Sequence, residues 1–476
     1  MYTLYLLGYR NYDFTEPPAT SEDVDIDLDT RFKTFDVSDT VKVHYNCLGQ
    51  CKITCETKEE GEAVASFLGK VYKVVAVDPE IRFTLFSPTT PNDPLFPSQW
   101  HLDKMDAPEA WDYMRNQGIA RIGVIDSGFL DVKDLNESRP YINITYKGQN
   151  YEGVVGAGCF SLNNNVEFYT SRSDPRNWLT SEGVQGIYSI HGTHVGGIIA
   201  ARGNNSRGVS GVMWNVYNQA TGGIFPVKAF NYGVKITNPA VGTIYSVTCS
   251  FDAIINAIDI CIAIGCKVVN MSLGGYVWKL TGGEEIKELF EDKFESAPDV
   301  LFVAAAGNDA RPIVSTDPFF GLPIWEVPAA CEPSTKNLIA VTAAGHDDDL
   351  ASYSNFHMNL CDIAGYGGTN DGVANHDVLS TAGKRGRCES YHSKERYVVM
   401  QEENGPVEYA YLPGTSMAAP TVSGALALAS AYYYTKFNSF PGANLIRNIL
   451  RGSCKYHNRN HFYTNKAGGV LNLDYL

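Results

Sequence analysis

Residues 251–273 read FDAIINAIDICIAIGCKVVNMSL, and Phe251 to Met271 is the most apolar window of the chain. Asp252, Asp259 and Lys267 interrupt it. A membrane-spanning helix needs about 20 predominantly apolar residues with few or no charges, so the window suits a bilayer poorly. Its first part has helical spacing, and KVVNMSL at its end is a short apolar run closing in small residues. The window therefore reads as a buried helix followed by a buried strand. RIGVID (121–126), IFPVKAF (224–230), VLFVAAAG (300–307) and LIAVTAAG (338–345) are runs of the same character. Further helical spacing follows Ser416. Strands separated by helical patterns predict an α/β fold: a doubly wound, mostly parallel sheet with helices on both faces. In such sheets the site lies at the carboxyl ends of the strands.

The chain has 476 residues, room for two or three domains at about 150 residues each, or for one large domain with insertions. That length buries a core without disulfide staples. Charged residues make up 19%, below the usual share of about 25%, which argues against disorder and against a coiled coil. The net charge of −15 offers no footprint for a phosphate backbone, so no nucleic acid is expected as a partner. No membrane partner is expected either. The opening MYTLYLLGYR has no basic stretch before its apolar run and no small-residue cleavage site after it. With no visible signal peptide, an intracellular or particle-associated location is expected. The eleven cysteines then read as mostly reduced thiols.

Residues 1–90 read as a separate small α+β domain with its connector, and residues 91–476 as the main domain. VKVHYNCL and CKITCET flank a turn at Gly49-Gln50 and predict a hairpin. KEEGEAVASFLG follows as a short helix ending at Gly69, then KVYKVVAVDPE as a strand. Asp13 to Asp29 is acidic and reads as a loop. FSPTTPNDPLFPSQW (86–100), with four prolines, reads as an extended connector.

Four segments carry residues suited to nucleophilic chemistry. GVIDSG puts Asp126 at the end of a buried strand, and IHGTHVGGIIA puts His191 and His194 in a glycine-rich helix start. GTSMAAP puts Ser416 behind a Gly414 turn at the start of an apolar helix, with Pro420 in its first turn or so. VAAAGND puts Asn308 just past a strand. Taken singly, each has a plainer reading as a turn or cap residue, or as a structural histidine. Taken together they have a shared physics. A serine is a poor nucleophile until a histidine takes its proton, and that histidine needs a carboxylate to fix its tautomer. A helix N-terminus and a side-chain amide can both donate to an oxyanion. The spacing of His191 and His194, with no Glu beside the first, does not match the H-E-x-x-H zinc pattern.

The motifs VIDSG, HGTHVGG, NMSLGG, AAAGN and GTSMAAP occur in that order and resemble the subtilisin-like serine proteases, the subtilases. The order Asp, His, Ser is the one known for subtilisin. The resemblance covers about residues 91–476 and implies a serine endopeptidase acting on protein or peptide substrates through an acyl-enzyme. It implies that Asp126 orients the base, His191 is general base and acid, Ser416 is the nucleophile and Asn308 the oxyanion donor. His194 is given a structural role. Ser272, Leu273 and Gly274 would pair with an extended substrate, and Ala304 to Gly307, with Ala305 and Gly307 in contact with substrate, would form the facing wall of the specificity pocket. Asp309 would lie near the pocket rim. Small walls predict room for a large apolar side chain, with basic ones tolerated through Asp309.

Residues 1–90 resemble a subtilase propeptide, which would make the N-terminal segment an intramolecular inhibitor and the chain a zymogen. Asp126 to His191 and Asn308 to Ser416 are long separations for the family, with insertions expected near 309–335 and 383–410. No cofactor is required by the reading, and no metal ligands are assigned. HDDDL (346–350) could offer oxygens to a structural calcium, but reads better as a solvated acidic turn. Cys47, Cys51 and Cys55 sit on either side of a turn and read poorly as a zinc site. Asn136, Asn143 and Asn204 begin glycosylation sequons, which matter only in a secreted chain.

Overall fold

The computed structural model describes residues 90–114, 120–160, 165–214, 222–238, 242–383, 396–402, 405–455 and 469–473. Before residue 90 it describes only 2–7, 32–36, 41–46, 51–55, 57, 59–60, 62–64 and 73–77. The chain divides into two compact units, Met1–Ser87 and Pro88–Leu476.

The first unit is an antiparallel sheet of β1 (Tyr2–Leu7), β2 (Phe32–Asp36), β3 (Val41–Asn46), β4 (Cys51–Cys55) and β5 (Lys73–Val77). Its order is β2-β3-β4-β1-β5. The expected hairpin is β3–β4, with Tyr45 opposite Cys51. The apolar opening, read from sequence only as a failed signal peptide, is the strand β1 between β4 and β5. Helical residues occur at 59–60 and 62–64. The acidic stretch 13–29, Cys47, Gly49-Gln50, Gly69 and the connector before residue 90 lie outside the described residues.

The second unit is built on β6 (Arg121–Asp126), β7 (Gly156–Cys159), β8 (Val166–Tyr169), α1 (His191–Ala200), β9 (Gly223–Lys228), α2 (Phe251–Ala263), β10 (Val268–Met271), β11 (Gly275–Trp278), β12 (Leu301–Ala305), β13 (Val314–Thr316), β14 (Pro323–Val327), β15 (Leu338–Ala344), β16 (Cys361–Tyr366), α3 (Thr415–Phe437), α4 (Ala443–Gly452), β17 (Cys454–Lys455) and β18 (Val470–Leu471). Ten of these strands form one sheet in the order β8-β7-β9-β6-β10-β12-β15-β16-β18-β17. Neighbours are parallel except in the edge pairs β7–β8 and β17–β18.

Successive side chains of a strand point to opposite faces, and here each face finds its own core. Leu301, Val303 and Ala305 join one cluster with Val195 and Ile198 of α1 and Ala425 and Leu428 of α3. Phe302 and Ala304 join the other, with Ala257 and Ile258 of α2 and Phe290 and Phe294 of the helix Gly283–Glu295. This explains why the strands read as continuous apolar runs. The sheet grows from β6 in both directions, through β9 on one side and β10 on the other. Such a switch point opens a crevice at the carboxyl end of β6, where Asp126 is the last residue.

Cys55, Cys159, Cys261, Cys266 and Cys331 are free and buried, Cys249 is free and half-buried, and Cys361 and Cys454 are buried as well. Cys261 and Cys266 converge behind Gly123, where a Cβ would meet their sulfurs at 2.5 and 3.1 Å. Among the described residues, no helix is long and apolar enough to cross a membrane.

Candidate active site

Asp126 is buried, and both its carboxylate oxygens lie 2.9 Å from Nδ1 of His191. His191 is the first residue of α1, and its side chain is about one third exposed, at 34%. A proton held at Nδ1 puts the imidazole lone pair on Nε2. The close approach depends on Gly192. A Cβ there would meet the Gly128 carbonyl at 2.5 Å and Asp126 Oδ1 at 2.9 Å. Ser127 ties the two elements further: its amide donates to Asp126 Oδ1 (2.6 Å), and its hydroxyl accepts from the Gly192 amide (3.0 Å). His194 points the other way, fully buried, with Nε2 2.8 Å from the Ala410 carbonyl and 3.1 Å from that of Val378. It ties α1 to the segments carrying Val378 and Ala410.

Ser416 is the second residue of α3, so its amide has no partner within the helix. Its hydroxyl donates to the Ser272 carbonyl (3.2 Å). In return the Ser272 hydroxyl donates to the Ser416 carbonyl (2.8 Å). That second bond explains Pro420, which is the sixth helical residue and lies beyond the first turn expected for it. A proline has no N–H for the carbonyl four residues earlier. Here that carbonyl is Ser416's, and Ser272 supplies the donor. Asn270 completes the arrangement, donating to Ser272 Oγ (2.9 Å) and accepting from Ser423 (2.8 Å).

Asn308 is fixed through its amide oxygen, which accepts from the Thr415 amide (2.8 Å) and hydroxyl (2.9 Å). Its Nδ2 is thereby turned toward Gly414. A Cβ built on Gly414 would lie 3.6 Å from the Ser416 amide nitrogen and 3.7 Å from Asn308 Nδ2. Two donors of different origin thus border the same small space beside Ser416.

The two expected walls leave from adjacent parallel strands, with Met271 of β10 opposite Ala304 of β12. Ser272, Leu273 and Gly274 continue from one, and Ala305 to Gly307 from the other. Asp309 is less available at the rim than its sequence position suggests, because its carboxylate accepts from the Tyr276 hydroxyl (2.8 Å). Sequence reasoning missed Glu326. It follows Asn308 in the chain and lies on β14, directly opposite Tyr276 of β11. A Cβ on Gly274 would collide with its Oε1, and one on Gly307 would lie 3.4 Å from its Cδ. The signal available was an acidic residue at the inward alternate position of PIWEV, two after the buried Ile324. Burial pushes the Glu326 carboxyl up to about 7, and nearby Asp309 adds to the rise against Tyr276 and Arg311.

Among the described residues no three His, Cys, Asp or Glu side chains converge as a metal site would require. In the acidic turn, Asp348 accepts from Lys104 (2.7 Å) and from Tyr366 (2.8 Å).

The subtilase family model matches residues 118–463. The chain belongs to the subtilase family. An extracellular protease of Xanthomonas campestris is 26% identical over 80% of this subtilase and 57% of its own length. An extracellular basic protease of Dichelobacter nodosus is 26% identical over 75% of this chain and 52% of its own length. The chain therefore spans about half the length of these relatives. The solved epidermin leader peptide processing serine protease of Staphylococcus aureus is 22% identical, covers 91% of each chain, and has a TM-score of 0.54. It is similar in fold. The names of the first two relatives overturn one expectation. An intracellular or particle-associated location, inferred from a missing signal peptide, does not stand beside relatives named as extracellular.

Proposed function

We propose that this subtilase is a serine endopeptidase acting outside the cell, cleaving peptide bonds through an acyl-enzyme on Ser416. The observation that carries the reading is the bond of both Asp126 oxygens to His191 Nδ1 at 2.9 Å, between the end of β6 and the start of α1. Asp126 holds the imidazole in the Nδ1–H tautomer and stabilises the imidazolium. His191 Nε2 takes the Ser416 proton as Oγ attacks the scissile carbonyl, then returns it to the leaving amine. The oxyanion that forms accepts from Asn308 Nδ2 and the Ser416 amide, both fixed before the reaction begins. Water repeats the sequence to free the acid. The substrate lies extended along Ser272, Leu273 and Gly274, bonded through its main chain, with its side chain between that segment and Ala305 to Gly307. No cofactor takes part in these steps.

In the same reading the Met1–Ser87 unit is a propeptide that inhibits the enzyme until it is cut away. Its support is position and size: a small antiparallel α+β unit preceding a long catalytic one. The test of the enzyme reading is covalent. A fluorophosphonate probe should label the protein once, and label neither Ser416→Ala nor His191→Ala. Label on Ser416→Ala, or none on the native chain, would make this subtilase a fold without the chemistry.

A further inference from the structure

Glu326 is 4% exposed, yet its Oε2 has no hydrogen-bond partner among the described residues, and no cation forms an ion pair with it there. A buried carboxylate left this way is costly, and natural proteins keep one only where something compensates. Arg311 and Tyr276 offset the charge only in part, and Arg311 forms no ion pair with it. The Arg311 guanidinium lies over the ring of Tyr276, 3.5 Å from its centroid. Tyr276 in turn is spent on Asp309 and on Asn355, whose Nδ2 donates to it at 2.8 Å. The titratable and charged groups facing Glu326 are thus Tyr276 on β11, and Asp309 and Arg311 on the loop after β12.

The position of the carboxyl is specific. It reaches the backbone of Gly274 so closely that a Cβ there would collide with Oε1, and its Cδ stands against Gly307 from the other side. These two glycines belong to the two walls between which, in the function proposed above, the substrate side chain before the scissile bond lies. An acidic group between those walls is complementary to a long cationic side chain, whose stem packs on backbone and small residues while its head pairs with the carboxylate. The charge of the whole chain, −15, draws basic peptides the same way.

We infer that Glu326 is the floor of the specificity pocket and selects arginine or lysine as the residue before the cleaved bond. This rests on the proteolytic reading and replaces the apolar preference expected from the small walls alone. Burial, with Asp309 nearby, keeps the empty pocket's carboxyl partly protonated near neutral pH. An arriving cation draws it into the ionised form.

The experiment uses the full chain and four peptides that differ only at the residue before the scissile bond: Arg, Lys, Leu and Phe. The Arg and Lys peptides should exceed the Leu and Phe peptides in kcat/KM by about 10²-fold. In Glu326→Gln that ratio should collapse by a similar factor, while fluorophosphonate labelling of Ser416 persists as the sign of a folded site. Leu or Phe cleaved as fast as Arg by the native enzyme overturns the inference, and so does an unchanged ratio in a labelled Glu326→Gln. If Glu326→Gln does not label, the native profile alone decides. Absence of both labelling and turnover in the native chain would instead defeat the proteolytic reading, so the two failures are distinct.

Discussion

The Asn308 side chain separates holding from donating. Its oxygen is committed to Thr415, so the amide cannot flip without losing two bonds, and in the proposed mechanism its Nδ2 is left for charge that exists only during reaction. Removal should therefore lower kcat more than it changes KM. Asn308→Ala is expected to lose about 10² to 10³ in kcat, a magnitude taken over from subtilisin; steady-state kinetics on one good peptide would read it. Glu326 makes the complementary point about stability. An ordinary glutamate titrates near 4.5, and burial lifts this one to about 7. Below pH 4.5 the group is protonated in the folded and the unfolded chain alike. Between there and 7 the unfolded chain gives up its proton first, so the fold loses stability as pH rises. Glu326→Gln should match the native protein near pH 4 and surpass it at pH 8 by ~1–3 kcal/mol, as urea unfolding at the two pH values would measure. No difference at pH 8 would mean that the carboxyl finds a partner in solution.

At the scale of elements, the junction between β10 and α3 holds Ser416, the proposed nucleophile. Pro420 removes the helical donor to the Ser416 carbonyl, and Ser272 replaces it from the neighbouring segment. The start of α3 is thereby fastened to the strand end, which a regular helix would not require. Ser272→Ala strands that half-buried carbonyl and should cost ~1–3 kcal/mol in unfolding free energy. Adding Pro420→Ala, which restores an N–H four residues on, should recover part of the loss; a double variant no more stable than Ser272→Ala would refute this account. The sequence carried the central strands plainly, because a strand buried on both faces is apolar at every position. It carried the Asp126–His191 pairing through motifs, since both residues sit where a strand ends or a helix begins. The short strand GAGC (156–159), one in from the sheet edge, was invisible because its side chains are too small to read as an apolar run. Glu326 was invisible for another reason: its meaning comes from Gly274 and Gly307, distant in sequence, and nothing in PIWEV announces them.

At the scale of the whole molecule, two units of unlike topology share one chain. The Met1–Ser87 sheet is antiparallel and joins β1 to β4 and β5 from far along the chain, while the ten-stranded sheet is built mostly from parallel pairs that close long loops. Parallel, non-local pairing folds slowly, so a propeptide that assists folding before it inhibits would suit this architecture. If the enzyme removes it by its own activity, intact mass should reveal a new N-terminus between about Val77 and Gln99 in the native protein. Ser416→Ala, expressed alone, should remain at full length. A full-length native chain with full activity would reduce the first unit to an accessory domain. The sealed cysteines have a consequence of a different kind. Outside a cell the medium is oxidising, and a thiol in the core meets an oxidant only when the fold opens. Should Cys261 and Cys266 be captured then, with each other or with another molecule, the way back is closed. The working lifetime of such a protein is a rate, set by how seldom it opens rather than by how well it could refold.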